Sequence, residues 1–363
     1  MTMKLPILFK TLKLLGLLLV IPASIFTISP DIANTLNTPK NTEQVKRLKL
    51  TLSGHTAPVR ALTISVSGRV LASGSDDQTI KLWNPATGAL LQTLTGHRER
   101  IKSIVITPDD QTLISSSFDN TIKFWNTQTG KEISTITEKT GVRAMLLTPD
   151  GQTLITGSGD QTIKFRNLKT RKIDRILKVE TTVLAISRDG KTLFSGGENG
   201  GRIRVWSMVT GKQLRTFTPP LPKKSDLING SERPSAPITL TVSNDGKMLL
   251  CGGHDDSFQS GGVRTTDGKG FKAWDLNTGK LVHNLSLGTN IDALIISPDS
   301  KTFIAGGLGR KIVLRDIKTG ESIMELAGHA GGIYGLAFSS DGKILYSGSG
   351  DKSIKIWQLK PSA

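Results

Sequence analysis

One cysteine in the whole chain, Cys251, excludes an intramolecular disulfide, so any folded domain here must rest on its packed core and hydrogen bonds. Aromatic residues are only 5% of the chain, and no arginine-rich run is interleaved with them. That argues against a surface that stacks nucleic acid bases. Acidic residues are short relative to basic ones, 30 against 47, which leaves a formal charge of +17. Without residues 1–50 the balance is 40 basic against 28 acidic, still +12. A surface of that sign favours anionic partners: acidic proteins, anionic polymers or lipid head groups.

Long apolar runs are also absent, with one exception near the start. Lys4, Lys10 and Lys13 form a basic beginning, Leu14 to Ile21 (LLGLLLVI) is apolar, and Pro22-Ala23-Ser24 follows. This is the layout of a secretory signal segment over residues 1–28. Extended to Ile28 it is about 15 uncharged residues, short of the roughly 20 a spanning helix needs. No small-x-small cleavage site stands out, so an uncleaved membrane anchor is the alternative. Either way the expectation is export, to a periplasmic, lumenal or extracellular space, or tethering there. With Cys251 alone there is no lipid-attachment cysteine near the start. Residues 29–45 are polar with two prolines and read as a linker.

What the chain has is repetition. Leu71 to Asn84, LASGSDDQTIKLWN, reads as strand, polar turn and strand. It returns as LISSSFDNTIKFWN (113–126), LITGSGDQTIKFRN (154–167) and LYSGSGDKSIKIWQ (345–358). Looser copies are LFSGGENGGRIRVWS (193–207) and FIAGGLGRKIVLRD (303–316), and a stretched one runs from Leu249 to Asp275. Along Trp83, Trp125, Arg166, Trp206, Trp274, Arg315 and Trp357 the steps are 42, 41, 40, 68, 41 and 42 residues. A period near 41 with four short strands per unit predicts an all-β, seven-bladed β-propeller over residues 46–360. The alternating stretch from Lys46 to Leu52 has no repeat before it, and the last repeat stops after its third strand. The N-terminal strand is therefore expected to close the last blade, which removes open sheet edges.

Gly54-His55, Gly96-His97 and Gly328-His329, with Trp83-Asn84, Trp125-Asn126 and Trp274-Asp275, make these units similar to the tryptophan–aspartate (WD) repeat family, here as a bacterial-type exported member. The resemblance is specific for fold and nearly silent on function. It implies that His, Ser, the turn Asp and the third-strand Trp form a buried structural network. The sets are His55, Ser73, Asp77 and Trp83; His97, Ser115, Asp119 and Trp125; and His329, Ser347, Asp351 and Trp357. Each contains the Ser, His and Asp of a hydrolase triad, but three copies of one constellation argue for structure. Blades 3 to 6 lack parts of the set: Arg166 and Arg315 replace Trp, Ala305 and Cys251 replace Ser, and none has Gly-His. They are expected to be held more by packing and less by this network, with Cys251 a buried small residue.

The resemblance also implies contact positions on the top face, the face that carries the connections between blades. These are Pro58, Arg60 and Asp76 in blade 1, Arg100, Lys102 and Phe118 in blade 2, Arg143 in blade 3, Asn290 and Asp292 in blade 6, and Tyr334 in blade 7. Arg60, Arg100, Lys102 and Arg143 would make a basic arc flanked by Phe118 and Tyr334. Blade 5 carries insertions within 218–237 and 254–270 that would stand on the same face, as tolerated loops or as a second recognition element. His254, Asp255, Asp256 and Asp267 fit no defensible metal-ligand spacing, so no metal and no cofactor is expected. The expected function is a non-catalytic protein–protein interaction scaffold, a monomeric propeller whose top face takes an acidic partner. Alternatives are a binder of an anionic cell-envelope polymer or ligand and, less favoured, an enzyme with a top-face site. Nucleic acid is not an expected partner, and the membrane enters only through the N-terminal segment.

Overall fold

The computed structural model describes residues 47–197, 201–220, 237–253, 270–285, 287 and 290–359. Strand β1 (Leu48–Leu52) comes first. Blade 1 holds β2 (Val59–Ile64), β3 (Leu71–Ser75), β4 (Ile80–Trp83) and β5 (Leu90–Leu94). Blade 2 holds β6 (Ile101–Ile106), β7 (Thr112–Ser117), β8 (Thr121–Asn126) and β9 (Glu132–Thr137). Blade 3 holds β10 (Val142–Leu147), β11 (Thr153–Ser158), β12 (Thr162–Asn167) and β13 (Ile173–Lys178). Blade 4 holds β14 (Val183–Ile186), β15 (Thr192–Gly196), β16 (Ile203–Ser207) and β17 (Gln213–Phe217). Blade 5 holds β18 (Pro237–Val242), β19 (Met248–Gly253), β20 (Phe271–Asp275) and β21 (Leu281–Leu285). Blade 6 holds β22 (Ala293–Ile296), β23 (Thr302–Gly306), β24 (Ile312–Asp316) and β25 (Ser322–Leu326). Blade 7 holds β26 (Ile333–Phe338), β27 (Ile344–Ser349) and β28 (Ile354–Gln358). Its fourth strand is β1, which pairs antiparallel with β28 from Leu48–Trp357 to Leu52–Ile354. This is the all-β, seven-bladed ring closed by its N-terminal strand that the repeat spacing predicts.

The second strand of each blade explains the small residues of the repeat. All of β3 (LASGS) is buried, as is the body of β7, β11 and β27. These strands are sandwiched between neighbouring blades, and small side chains let the sheets approach. Large apolar side chains then fill each seam. Ala61, Ile80, Leu82 and Leu94 of blade 1 meet Ile101, Ile104, Leu113 and Trp125 of blade 2. Full burial of one such branched or aromatic side chain stabilises by about 1.5–3 kcal/mol.

Polar clips join the blades at the outer edge, where packing thins. From the outer strand of one blade, a side chain donates to a carbonyl in the last turn of the next. Gln92 donates to Gln128 (2.5 Å), Arg175 to Met208 (2.7 Å) and Arg215 to Leu276 (3.1 Å), while His283 Nε2 meets the Ile317 carbonyl at 3.0 Å. Cys251 lies in the core between blades 4 and 5, and burial pushes its thiol up to about 12.

The two blade 5 insertions interrupt the pattern where expected, before β18 and between β19 and β20. Their centres, with Lys223, Lys224, Arg233, His254, Asp255, Asp256 and Asp267, lie outside the described residues. So do Lys46 and the segments assigned as leader and linker. Among the described residues, no helix is long and apolar enough to cross a membrane.

Candidate functional site

The Ser–His–Asp sets come first, because their geometry is that of a triad. In blade 1, His55 Nδ1 lies 2.8 Å from Asp77 Oδ2 and Nε2 lies 2.8 Å from Ser73 Oγ. Asp77 is held well below the usual carboxylate range: burial opposes its charge, but hydrogen bonds from His55 and Thr79 outweigh that. An ionised carboxylate can only accept, so Nδ1 carries the proton and Nε2 accepts from the serine hydroxyl. Blades 2 and 7 repeat the set at 2.7–2.8 Å, with Asp119 and Asp351 each held at about 2.

Two features make these clamps instead of catalysts. Ser73, Ser115 and Ser347 are each 0% exposed, so no substrate reaches the oxygen. Each serine oxygen also accepts the indole N–H of Trp83, Trp125 or Trp357 at 2.8 Å. The glycine before each histidine has φ between 146° and 153°, and a Cβ there would lie 3.2–3.3 Å from the tryptophan ring. Only glycine meets both conditions without strain.

Blade 3 lacks the His–Ser–Asp–Trp clamp, and a buried charged network stands in its place. Glu138 occupies the place of His97 one repeat later and is buried, 7% exposed. Its carboxylate joins Lys164 Nζ and Arg166 Nη2, each at 2.6 Å, and Lys164 also meets Asp160 at 2.9 Å. Burial would lower the Lys164 ammonium's pKa, but its bonds to Glu138 and Asp160 outweigh that and raise it. Arg166 Nη1 donates to the Arg171 carbonyl at 2.9 Å, as Arg315 Nη1 does to Gly320 at 2.7 Å. A charged network thus replaces the neutral one, where the sequence shows only lost residues. Blade 4 keeps a remnant, Trp206 donating to Ser195 at 2.9 Å.

The top-face residues are placed by the inner strands. Five of these break register after their first residue: at Val59/Ala61, Ile101/Ser103, Val142/Ala144, Pro237/Thr239 and Ile333/Gly335. A bulge leaves one residue out of the ladder and re-aims its side chain. The residues left out are Arg60, Lys102, Arg143, Ile238 and Tyr334, one per blade around the same end of the channel.

Their surroundings differ. Arg60 grips Asp76 in two-pronged fashion (2.9 and 3.0 Å), and its guanidinium lies 4.1 Å above the Tyr334 ring. The Asp76 N–H donates to the Pro58 carbonyl at 2.9 Å, fixing that corner. Arg100 is exposed and stacks 4.1 Å over the Phe118 ring, itself 46% exposed. Arg143 pairs loosely with Glu180 at 3.8 Å. Lys102 is exposed. Desolvation first, then the charges of Arg60 and Arg100, push its pKa down, while Asp292 across the channel pulls the other way. Asn290 and Asp292 stand on blade 6, where the Asp292 N–H donates to the Gly306 carbonyl at 3.0 Å.

The structure therefore brings Arg60, Asp76, Tyr334, Lys102, Arg100 and Phe118 into one run across blades 7, 1 and 2, with Arg143 beyond. Sequence reasoning missed Leu308, 52% exposed, which lies beside Tyr334: a Cβ at Gly332 would sit 3.3 Å from one and 3.2 Å from the other. The signal was available, since Leu308 holds the place in its repeat that Asp76 and Phe118 hold in theirs. Among the described residues, no group of three or more His, Cys, Asp or Glu side chains could hold a metal ion.

Comparison with known proteins follows the repeats. Residues 46–84, 88–126, 130–167 and 320–358 match the family model WD40, "WD domain, G-beta repeat". The chain is 29% identical over 129 residues to small ribosomal subunit protein RACK1 of Schizosaccharomyces pombe, covering 33% of this chain and 37% of that protein. It is 32% identical over 169 residues to WD repeat-containing protein SL1-17 of Schistosoma mansoni, covering 47% and 48%. Over 72 residues it is 40% identical to WD repeat-containing protein 1 of Xenopus tropicalis, covering 19% and 12%. It spans less than half the length of each. The chain is a seven-bladed β-propeller, and four of its repeat units are similar to the WD40 repeat.

Proposed function

We propose that the chain is a non-catalytic interaction scaffold whose top face receives an acidic segment of a protein partner. The observation that carries this reading is the run of cations on adjacent blades: Arg60 on blade 1, Lys102 and exposed Arg100 on blade 2, and Arg143 on blade 3. Arg60 and Arg100 lie close enough to oppose the Lys102 charge, with Asp292 giving partial relief. An incoming carboxylate would remove that conflict, so the site is electrostatically prepared for an anion. Exposed Phe118 and Leu308 beside the cations favour a polypeptide over a purely ionic polymer, because arginine and aromatic residues dominate binding hot spots.

The test is a fluorescence titration of the full chain with a glutamate-rich peptide containing one aromatic residue. Arg100→Glu together with Arg143→Glu should weaken binding at least tenfold, about 1.4 kcal/mol, with the melting temperature unchanged. If deleting residues 221–233 abolishes binding while the double reversal does nothing, the insertions are the recognition element. Equal binding of a polyphosphate that lacks apolar groups would favour the envelope-polymer reading. The proposal also places the propeller across a membrane, exported or tethered, on the strength of the basic start and the apolar run from Leu14 to Ile21. Fractionation, with mass measurement of the mature N-terminus, checks it.

A further inference from the structure

Away from the top face, the end of the ring that carries the turns between first and second strands is sealed at five of its seven seams. Pro108 of blade 2 backs onto the Gly151 turn of blade 3, where an added Cβ would lie 2.5 Å from the proline ring. Pro149 meets Gly190 (3.4 Å) and Pro298 meets Gly342 (3.2 Å) in the same way. Between blades 1 and 2, the Val66 and Ser67 amides donate to Asp110, and between blades 5 and 6 Asn244 donates to the Pro298 carbonyl. Two seams lack such a seal. Between blades 7 and 1 Ser340 stands where the proline would be, and a Cβ at Gly68 would meet nothing within 4 Å. Between blades 4 and 5 Arg188 stands there, and a Cβ at Gly246 would likewise meet nothing within 4 Å.

Between blades 4 and 5 the result is an open groove of about 490 Å³. Its floor is the core of that seam: Phe194, Val205 and Phe217 from blade 4, Val242 and Leu276 from blade 5. One wall is β17, the one outer strand among the described residues whose first four positions are all exposed, and its Leu214 is 61% exposed at the groove. The rim charges are unequal in availability. Asp189 and Asp245 turn one oxygen back into their own turns, each accepting from the serine two residues before and the amide two residues after. Arg215 gives one bond to the Leu276 carbonyl, and Arg188 meets no carboxylate among the described residues.

We propose that this groove is a second docking site, distinct from the top face, and that its occupant is an acidic peptide of a protein partner. One branched or aromatic side chain of the peptide fills the opening over Phe217 and Val242. A neighbouring carboxylate meets Arg188, with Arg215 as the second cation. The volume lies within the roughly 300–1,000 Å³ range of ligand sites, and an apolar floor with few polar groups at the rim is their usual make-up.

The probe is a set of fluorescent decapeptides with a central Phe-Leu flanked by glutamate, serine or lysine, titrated against the full chain carrying Arg100→Glu with Arg143→Glu, which silences the top face. The glutamate peptide should bind this protein at least tenfold better than the lysine one. Adding Leu214→Glu should weaken it at least tenfold, and so should adding Arg188→Pro, which installs the seal found between blades 2 and 3, 3 and 4, and 6 and 7. Melting temperatures within a few degrees of the parent confirm that each variant is folded. The proposal fails if no peptide binds once the top face is silenced, if lysine and glutamate peptides bind alike, or if both groove variants bind normally. It also fails if the parent dimerises in sedimentation and Arg188→Pro abolishes that, since the occupant is then a second copy of this chain.

Discussion

Glu138 stands 41 residues after His97, one repeat on, and does the same positional job with different chemistry. In blade 2 the buried group is a neutral imidazole, in blade 3 a carboxylate between two cations. The energetic stakes differ accordingly. Removing Asp77 leaves His55 and Ser73 poorly partnered, so Asp77→Ala should cost about 1–3 kcal/mol. Removing Glu138 strands Lys164 and Arg166 in a buried place, and Glu138→Ala should cost about 3–5 kcal/mol. Chemical denaturation of the two variants checks the order. A Glu138 variant no less stable than the Asp77 one would mean that water screens the triad. A Ser73→Ala protein that loses a hydrolytic turnover at unchanged melting temperature would overturn the structural reading of the clamps.

The elements were legible from the sequence to different depths, for physical reasons. Strand pairing within a blade follows from side-chain alternation and turn residues, which local sequence carries, so the seven hairpins and the closing strand could be read directly. The clamps were legible because His55, Ser73, Asp77 and Trp83 recur at fixed spacing. The blade 3 triad was not, because a search for a repeated residue type passes over a substitute of another type. The clips from Gln92, Arg175, Arg215 and His283 were hidden for a further reason: their acceptors are backbone carbonyls, identical at every residue. The resemblance puts Arg60 in the basic arc, yet Asp76, at a contact position of the same blade, holds it in a two-pronged pair. The element most exposed to test is β1. Deleting residues 1–52 should leave β28 as an unpaired edge, lowering the midpoint and broadening the transition. Unchanged midpoint and cooperativity would rule out the closure as a source of stability.

At the scale of the whole molecule, acid should weaken the ring in two stages. His97 and His329 titrate below the ordinary histidine value, chiefly because burial disfavours their charge. As pH falls below about 6.5 the unfolded chain takes up these protons first, so their contribution, complete above that pH, is progressively lost. Asp119 and Asp351, held at about 2, add a second loss that begins below about 4. Melting temperature followed from pH 8 to pH 2 should therefore decline in both windows, and a rise between pH 7 and pH 5 would contradict neutral buried histidines. The bond between Thr51 and Lys355 spans 304 positions, and that between Arg47 and Leu359 spans 312. Such separation has a kinetic meaning. A ribosome releases β28 some 304 residues after β1, so the first propeller strand made is without its partner while the other blades are synthesised. Six blades can assemble in order from local hairpins, whereas the seventh must wait for β1 and β28 to meet. Refolding of the complete chain should therefore show a slow final phase absent when β1 is deleted, and stalled chains ending before Ile354 should stay protease-sensitive at β1.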